Sequence, residues 1–431
     1  MRVHLSTLGC RLNEAELERW SRDFRARGLE LARGPAEADL VVVNTCAVTD
    51  EAVRKSRKLV RRAKRANPAA KVIVSGCYSS LDPQRAAADL GADLLVPNPD
   101  KDQLVEIVSR RLDLPALPVV LGEPAEATLF ARGRQRAFVK VQDGCRHRCT
   151  FCVVTLARGE ERSRLVADLV AEIRALHAAG VQEVVLTGVH LGGYGSDLGT
   201  DLRALIAAVL ADTGVPRVRL GSLEPWDLPP GFWDLFADRR LMPHLHLPLQ
   251  SGADTVLRRM ARRCRTADFR ALARAARSAA ANVNLTTDVI VGFPGETEAE
   301  WAATLGFVAE IGFGHVHVFG FSPRPGTKAA TLPAPVDEPT RQRRSQELHA
   351  LAAQRKREAL EPLVGHRCAV LIEGDRGSPA ADGVWWEGYT PEYHRVTVLA
   401  PPGLDLVNRI LDVRIDAVGT DGCHLVATPG G

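Results

Sequence analysis

Three cysteines lie close together in "DGCRHRCTFC", at Cys145, Cys149 and Cys152, with the spacing Cys-x3-Cys-x2-Cys. A loop this short lets all three thiolates face one centre. Zinc sites and iron–sulfur clusters commonly take four protein ligands, and only three cysteines stand here. Two readings follow. One is a zinc loop with His147 as fourth ligand, which leaves no open coordination position. The other is a four-iron four-sulfur cluster on three thiolates, with one iron left free for a ligand from outside the chain.

A second set of three is dispersed. Cys10 follows "HLSTLG", Cys46 follows "LVVVNT" and Cys77 follows "VIVSG". Each lies just past the carboxyl end of an expected parallel strand, the edge where open α/β sheets bind ligands. A lone cysteine there reads as a buried small hydrophobe, but three at equivalent positions point to a second metal site. Cys264, Cys368 and Cys423 have no ligand spacing and read as ordinary. His244/His246 and His315/His317 alternate along strands, so each pair shares a face. They read as barrel-interior or exposed histidines rather than as ligands.

The elements that must position these residues fall into three units. Residues 1–114 alternate apolar runs such as "LVVV" and "VIV" with amphipathic helices, the pattern of a doubly wound parallel sheet. Proline and glycine mark a linker over 115–130, whose "VVL" can add an edge strand. Residues 131–362 hold six strand candidates separated by helices, among them one helix over Thr255–Ala280. Six β/α units make a partial TIM-type barrel, with the chemistry at the carboxyl ends of its strands. "DGCRHRCTFC" begins at the end of the first. Residues 363–431 switch to short apolar runs broken by Gly, Pro and Asp, an all-β module of OB-barrel size.

Composition limits the function classes. The chain has 431 residues, 45% of them hydrophobic, and a net charge of +4, which by itself does not prove a nucleic-acid partner. No apolar run is long enough to span a bilayer and no signal peptide is visible, so no membrane role and a cytoplasmic location are expected. Positive charge is concentrated in "RKSRKLVRRAKR", eight cations in twelve residues just after Cys46. It would meet phosphates approaching a strand-end site. Trp385, Trp386, Tyr389, Tyr393 and His394 beside Arg395 offer stacking surfaces for looped RNA, with one of the adjacent tryptophans expected inside.

"CRHRCTFC" resembles the signature of radical S-adenosylmethionine enzymes. The resemblance implies that the free iron is chelated by the methionine moiety of S-adenosylmethionine, that an electron from the cluster cleaves the sulfonium to a 5′-deoxyadenosyl radical, and that Phe151 packs by the adenine. "TLGCRLNEAE", "VVVNTCAVTDEAVRKSRKLVRR" and "VIVSGCYS", with "CVVTLARGEERSR", "LPLQSGADTVLRRM", "DVIVGFPGET" and "FSPRPGTKA", resemble the methylthiotransferase family. "EGYTPEYHRVTV" is similar to a TRAM domain, a small RNA-binding barrel. "TLGCRLNEAE", "NTCAVTDEAVRKSR" and "LTGVHLGGYG" are most similar to the branch acting on threonylcarbamoyladenosine 3′ to the anticodon of tRNA.

This resemblance implies two four-iron four-sulfur clusters, on Cys10, Cys46 and Cys77 and on Cys145, Cys149 and Cys152. The first delivers sulfur that one S-adenosylmethionine methylates; the second cleaves another S-adenosylmethionine. Candidate cofactor contacts outside the cysteines are Gly188 in "LTGVHLGG", Glu224 in "GSLEP", Gln250 and Ser251 in "LPLQSG", and Asp288. An ordinary turn is the competing reading for Gly188, and a local strand cap for Asp288. The implied partners are the anticodon loop of tRNA and an electron donor such as a flavodoxin or ferredoxin. Isopentenyladenosine in tRNA and a ribosomal-protein aspartate are alternative substrates. A metal-stabilised RNA-binding protein without catalysis is the alternative of another class.

Overall fold

The computed structural model describes residues 1–112, 136–280, 282–380 and 382–430. The expected linker over 115–130 and its edge strand lie outside them. The first unit contains β1 (Arg2–Thr7), α1 (Arg11–Ala26), β2 (Glu30–Leu31), β3 (Leu40–Thr45), α2 (Asp50–Ala66), β4 (Lys71–Gly76), α3 (Cys77–Leu81), α4 (Pro83–Leu90), β5 (Leu94–Val96) and α5 (Leu104–Arg111). The strands form one parallel sheet in the order β2-β1-β3-β4-β5. All six residues of β3 are buried, as a central strand covered on both faces requires. Val41, Val43, Val72 and Val74 pack on one side with α2 residues Val53 and Val60, while Val42 and Ile73 pack on the other with Trp20 and Phe24 of α1.

The second unit runs through β6 (Arg136–Lys140), β7 (Gln142–Asp143), α6 (Val154–Arg158), β8 (Arg162–Ser163), α7 (Val166–Ala178), β9 (Glu183–Thr187), α8 (Leu202–Asp212), β10 (Arg217–Leu220) and β11 (His244–His246). It continues with α9 (Asp254–Arg259), α10 (Thr266–Ala279), β12 (Asn284–Val291), α11 (Glu298–Ile311), β13 (His315–Gly320) and α12 (Glu338–Leu360). Strands β6, β9 and β10 pair in parallel, as do β11, β12 and β13. Parallel bridges Val218–Leu241 and Ser222–His246 join the two groups. The result is the expected six-stranded partial barrel. Among the described residues no strand pairing joins β13 back to β6, and α1 lies beside that gap. Its Ala15 packs on Phe138 of β6 and Val185 of β9.

The helix expected over Thr255–Ala280 is two helices. Ala261 breaks it with φ 54°, and Asp254 Oδ1 accepts from Thr266 N at 2.8 Å to restart α10. The break frees the carbonyls of Arg259 and Met260 for use elsewhere.

Strands β14 (Arg367–Ala380), β15 (Gly383–Tyr389), β16 (Arg395–Ala400), β17 (Ile410–Val418) and β18 (Leu425–Pro429) close into a barrel. Trp386 fills its core and Trp385 is half-buried, so one of the two tryptophans is inside, as alternation requires. The expectation for Tyr389, Tyr393 and His394 is overturned. The two tyrosines stack with centroids 4.7 Å apart. Arg136 lies 4.8 Å over each and Arg219 4.7 Å over Tyr393. His394 is buried. Arg217 donates to Tyr389 O at 3.2 Å and Ala369 O at 2.9 Å, Arg219 to Pro391 O at 2.9 Å, and Asn284 Nδ2 to Glu392 O at 2.8 Å. Arg136, Arg217 and Asn284 open their strands, so this loop plugs the amino-terminal end of the partial barrel. Guanidinium groups stack on aromatic rings as nucleobases do, and here they occupy the tyrosine faces.

Candidate functional site

Gly144 turns the chain out of β7 into the cysteine loop at φ 75°, where a Cβ would stand 1.9 Å from Glu160 O. Only glycine permits both the dihedral and the approach. The loop is then fixed from several sides. Cys145 N donates to Gly159 O at 3.1 Å and Cys152 N to Cys149 O at 3.0 Å. Thr150 N reaches Met260 O at 3.0 Å and its hydroxyl reaches Arg259 O at 2.9 Å, the two carbonyls released by the helix break. Ala329 N donates to Thr150 O at 2.9 Å. All three thiols are half-buried. Burial pushes Cys145 up to about 12 and Cys152 up to about 11, so metal binding must displace their protons.

His147 is not placed as a fourth ligand. Its Nε2 lies 2.9 Å from Asp227 Oδ2 and 3.3 Å from Trp226 Nε1. Asp227 also takes His190 Nε2 at 2.7 Å, and the other nitrogen of His190 is bonded to Glu161. Burial opposes charge on His190, but the bond to Asp227, the charge of Glu224 and the bond to Glu161 outweigh it and raise its pKa. Cys145, Glu161 and His190 do place one donor atom each within 4.8 Å of one another. His190 offers no lone pair there, because both ring nitrogens are hydrogen-bonded to carboxylates.

Neither cysteine triplet falls within that 4.8 Å limit among the described residues. Thiolates on one tetrahedral zinc sit roughly 3.8 Å apart, from a Zn–S bond of about 2.3 Å. Neither triplet among the described residues is drawn that close, so neither is arranged around a single zinc ion.

Cys10 caps α1, Cys46 follows β3 and Cys77 begins α3. Strand register places these ends side by side: Thr7 pairs with Asn44, Asn44 with Ser75, and Thr45 with Gly76. A Cβ on Gly9 would lie 2.9 Å from Cys46 Sγ. The three thiols act on one another electrostatically, and burial raises Cys46 to about 11. Asn98 Nδ2 ties this triplet to the other, donating to Ala157 O at 2.7 Å and lying 3.8 Å from Cys77 Sγ. Ala157 belongs to α6, the helix after Cys152. Arg158, next along, donates to Asn13 Oδ1 at 2.8 Å, Glu16 Oε1 at 3.0 Å and Asp143 Oδ1 at 2.9 Å. On the opposite flank Asp50 at the start of α2 binds Arg324, and its N–H donates to Ser322 Oγ at 3.2 Å. The cysteine edge of the first sheet therefore faces the carboxyl ends of the barrel strands.

The other candidates divide. Phe151 packs on a cluster with Met260, Phe293 and, through Phe293, Phe321, an apolar wall beside the loop. Gly188 has no room for a Cβ, which would meet Gln142 Oε1 at 2.9 Å. That oxygen accepts from Val189 N at 3.0 Å and His190 N at 2.9 Å, so the turn is held by the residue just before Asp143. Glu224 Oε2 is buried without a hydrogen-bond partner, 3.8 Å from His190, and burial raises its pKa. An orphaned buried carboxylate oxygen at a strand end is a ready acceptor for ligand hydroxyls. Gln250 adopts φ 76° and exchanges backbone bonds with β12. Ser251 is buried, its hydroxyl 3.2 Å from Thr304 Oγ1 and accepting from Ala253 N, directed at α11 rather than at the thiols. Asp288 Oδ1 lies 3.2 Å from His246 Nε2, and with His317 their donor atoms fall within 4.8 Å.

Sequence reasoning missed the His147–His190–Asp227 cluster and the buried charges around Arg158. It also missed Arg262, stacked 4.3 Å over Trp226 and 4.0 Å from Cys149 Sγ. A cleft of about 250 Å³ lined by Arg146, His147, Cys149 and Trp226 opens beside it.

Residues 139–308 match the radical SAM superfamily, and residues 2–97 match a family described as uncharacterized protein family UPF0004. The chain is 34% identical over 430 residues to the threonylcarbamoyladenosine tRNA methylthiotransferase MtaB of Bacillus subtilis, covering 97% of this chain and 94% of that one. It is also 34% identical over 463 residues to a tRNA-2-methylthio-N(6)-dimethylallyladenosine synthase of Sorangium cellulosum, covering 96% and 91%. A radical S-adenosylmethionine methyltransferase, TsrM of Kitasatospora setae, solved with cobalamin and an iron–sulfur cluster, shares the fold at TM-score 0.58 and 17% identity over 76% of this chain and 77% of that one. The family match over residues 139–308 and the identity to curated methylthiotransferases over nearly the whole chain place this chain in the radical S-adenosylmethionine methylthiotransferase family.

Proposed function

We propose that this enzyme adds a methylthio group to C2 of N6-threonylcarbamoyladenosine beside the anticodon of tRNA, using two S-adenosylmethionines and two four-iron four-sulfur clusters. The observation that carries the reading is the pair of three-cysteine sets, each short of a fourth protein ligand, joined through Asn98 and Arg158. Structural metal sites are normally closed. Two open ones serve a reaction that needs both a radical and a sulfur donor.

In this assignment residues 1–114 hold the auxiliary cluster on Cys10, Cys46 and Cys77, residues 131–362 hold the radical-forming cluster on Cys145, Cys149 and Cys152, and residues 363–431 contribute to RNA binding. When bound, the clusters supply the electron for sulfonium cleavage and an open iron for sulfur. The chain's own residues do the positioning. Phe151 and the Phe293 wall take the adenine of S-adenosylmethionine, Glu224 accepts from its ribose, and the Gly188 turn lets the methionine end approach the backbone. Arg54, Lys55, Lys58, Arg61, Arg62 and Arg65 are exposed on α2, close behind the Cys46 edge, and would bind the anticodon-stem phosphates. The electron would come from a flavodoxin- or ferredoxin-like donor in the cytoplasm.

Relatives carrying the dimethylallyladenosine name match at 33–34% identity, which keeps isopentenyladenosine as the second substrate reading. Mass spectrometry of tRNA nucleosides from a deletion strain separates the two. Loss of the methylthio form of threonylcarbamoyladenosine, with its parent accumulating, is expected; loss of methylthio-isopentenyladenosine instead would replace this substrate with the second.

A further inference from the structure

The reading that the substrate is an N6-modified adenosine leaves open which side chains read the modification. Arg11 immediately follows Cys10 and opens α1. Its guanidinium lies 5.2 Å over the Phe138 ring, its Nη2 is 3.5 Å from the Tyr393 hydroxyl, and its charge acts on His317. Phe138 is on β6 and His317 on β13, so Arg11 stands at the gap between the first and last barrel strands. Arg11 is exposed there. Lys140, Arg158 and Arg219, other buried cations of the same two units, are each paired with carboxylates. Among the described residues Arg11 makes no ion pair.

Opposite it, the inner wall is polar. His246 Nε2 lies 3.2 Å from Asp288 Oδ1, and His246 Nδ1 is held at 3.0 Å by Thr286 Oγ1. Asp288 and His317 are register partners on β12 and β13, and His317 is exposed to the opening. An unpaired guanidinium facing imidazoles and one carboxylate suits a group that carries both an anion and N–H or O–H donors. A threonylcarbamoyl substituent has one carboxylate, one hydroxyl and carbamoyl N–H groups. An isopentenyl group has none, and seated here it would bury the Arg11 charge and the edges of His317 and Asp288 without offering them a partner.

We infer that Arg11, with His317 and the His246–Asp288 pair, forms the subsite for an anionic carbamoyl-amino-acid substituent on N6 of the substrate adenine and selects it over an apolar one. Arg11 takes the carboxylate, and Asp288 accepts from the hydroxyl or N–H groups.

The test uses reconstituted holoenzyme and anticodon stem-loops carrying threonylcarbamoyladenosine, isopentenyladenosine or unmodified adenosine. Affinity is read by fluorescence anisotropy, and KM and kcat by product formation. Removing a charge-assisted bond in Arg11→Gln should raise KM for the threonylcarbamoyl substrate about tenfold or more, with a smaller change in kcat. The preference for that stem-loop over the unmodified one should fall by a similar factor. Arg11→Lys should recover part of the preference, and His317→Gln should lose part of it. An Arg11→Gln enzyme that keeps full wild-type preference overturns the inference while leaving the proposed function standing. A stoichiometric divalent metal beyond the iron of the two clusters that disappears in His317→Gln also overturns it, because the three groups would then be a metal site. A wild-type enzyme that modifies only isopentenyladenosine overturns the proposed substrate and this subsite together.

Discussion

Arg158 Nη1 donates to Glu16 Oε1 at 3.0 Å, and the two side chains are only 1% and 2% exposed. One belongs to the helix after the local cysteine loop, the other to the helix after Cys10. Lys101 also binds Glu16 at 2.5 Å, and Lys140 lies between Asp102 at 2.7 Å and Asp143 at 3.5 Å. These cations hold the Glu16 carboxyl well below its usual range against the opposing effect of burial. The two cysteine sets are thus fixed relative to each other through a buried charge network rather than through a flexible joint.

Breaking that network should be severe. Arg158→Met would leave Glu16 and Asp143 buried with one cation fewer, a loss expected at about 3–5 kcal/mol for an uncompensated buried charge. Urea unfolding of the variant should show it. A loss within about 0.5 kcal/mol, the usual size of a surface substitution, would mean that the network is dispensable.

His147 supplies a clean test of the ligand set. Because its Nε2 lies 2.9 Å from the Asp227 carboxylate, His147→Gln should keep its iron, whereas Cys149→Ala should lose about four irons, one cluster's worth. Iron analysis after anaerobic reconstitution decides this. Loss of the local cluster in His147→Gln would restore the closed four-ligand reading.

Glu224 should matter to cofactor binding. Its Oε2 is buried and unpartnered, so a hydroxyl donor bound there gains a hydrogen bond to a charged group, worth about 1.5–3 kcal/mol. Glu224→Gln should weaken S-adenosylmethionine binding by roughly 10–100-fold, measured by equilibrium dialysis against the reconstituted enzyme. Unchanged affinity would remove Glu224 from the cofactor site.

The helix break that holds the cysteine loop has its own pH signature. Glu300 binds Arg259 at 2.8 Å across the start of α11, and that bond, partly opposed by burial, holds its pKa down at about 2. A depressed carboxyl stabilises the fold above its ordinary value near 4.5, and the contribution is lost as pH falls through 4.5 toward 2. Glu300→Gln should therefore be less stable than the parent by about 1–2 kcal/mol at pH 7, with the gap closing as pH drops into that window. Thermal denaturation at a series of pH values measures it; a gap independent of pH would contradict the assignment.

Much of this architecture was legible in the residues. Buried runs such as "LVVV" gave the first sheet, and cysteines at three strand ends gave the dispersed set, because sequence position past a strand translates directly into place on a sheet edge. What stayed hidden depended on contacts between residues far apart in the sequence. Nothing local in "EGYTPEYH" distinguishes a tyrosine that stacks on RNA from one covered by Arg136 and Arg219, since both need an exposed-looking aromatic in a turn. Trp386, by contrast, followed from alternation alone. The helix break at Ala261 was invisible because a helix-favouring run hides one residue in the left-handed region. Its cause is tertiary: Thr150 takes the carbonyls that the break exposes.

The plugged barrel also changes what truncation should do. Removing residues after Leu363 takes away the carbonyl partners of Arg217, Arg219 and Asn284 and the rings under Arg136. The shortened enzyme should bind tRNA more weakly and also unfold at lower temperature. A truncated enzyme with the parent's melting temperature would show that the plug adds nothing to barrel stability.

The central claim is a division of labour between two cysteine sets, and the most direct measurement separates them in one sample. Cys46→Ala is reconstituted anaerobically, reduced with S-adenosylmethionine and substrate tRNA, and assayed for 5′-deoxyadenosine and for methylthio nucleoside. The account predicts that 5′-deoxyadenosine still forms and the methylthio product does not. Full methylthio product from Cys46→Ala would contradict it.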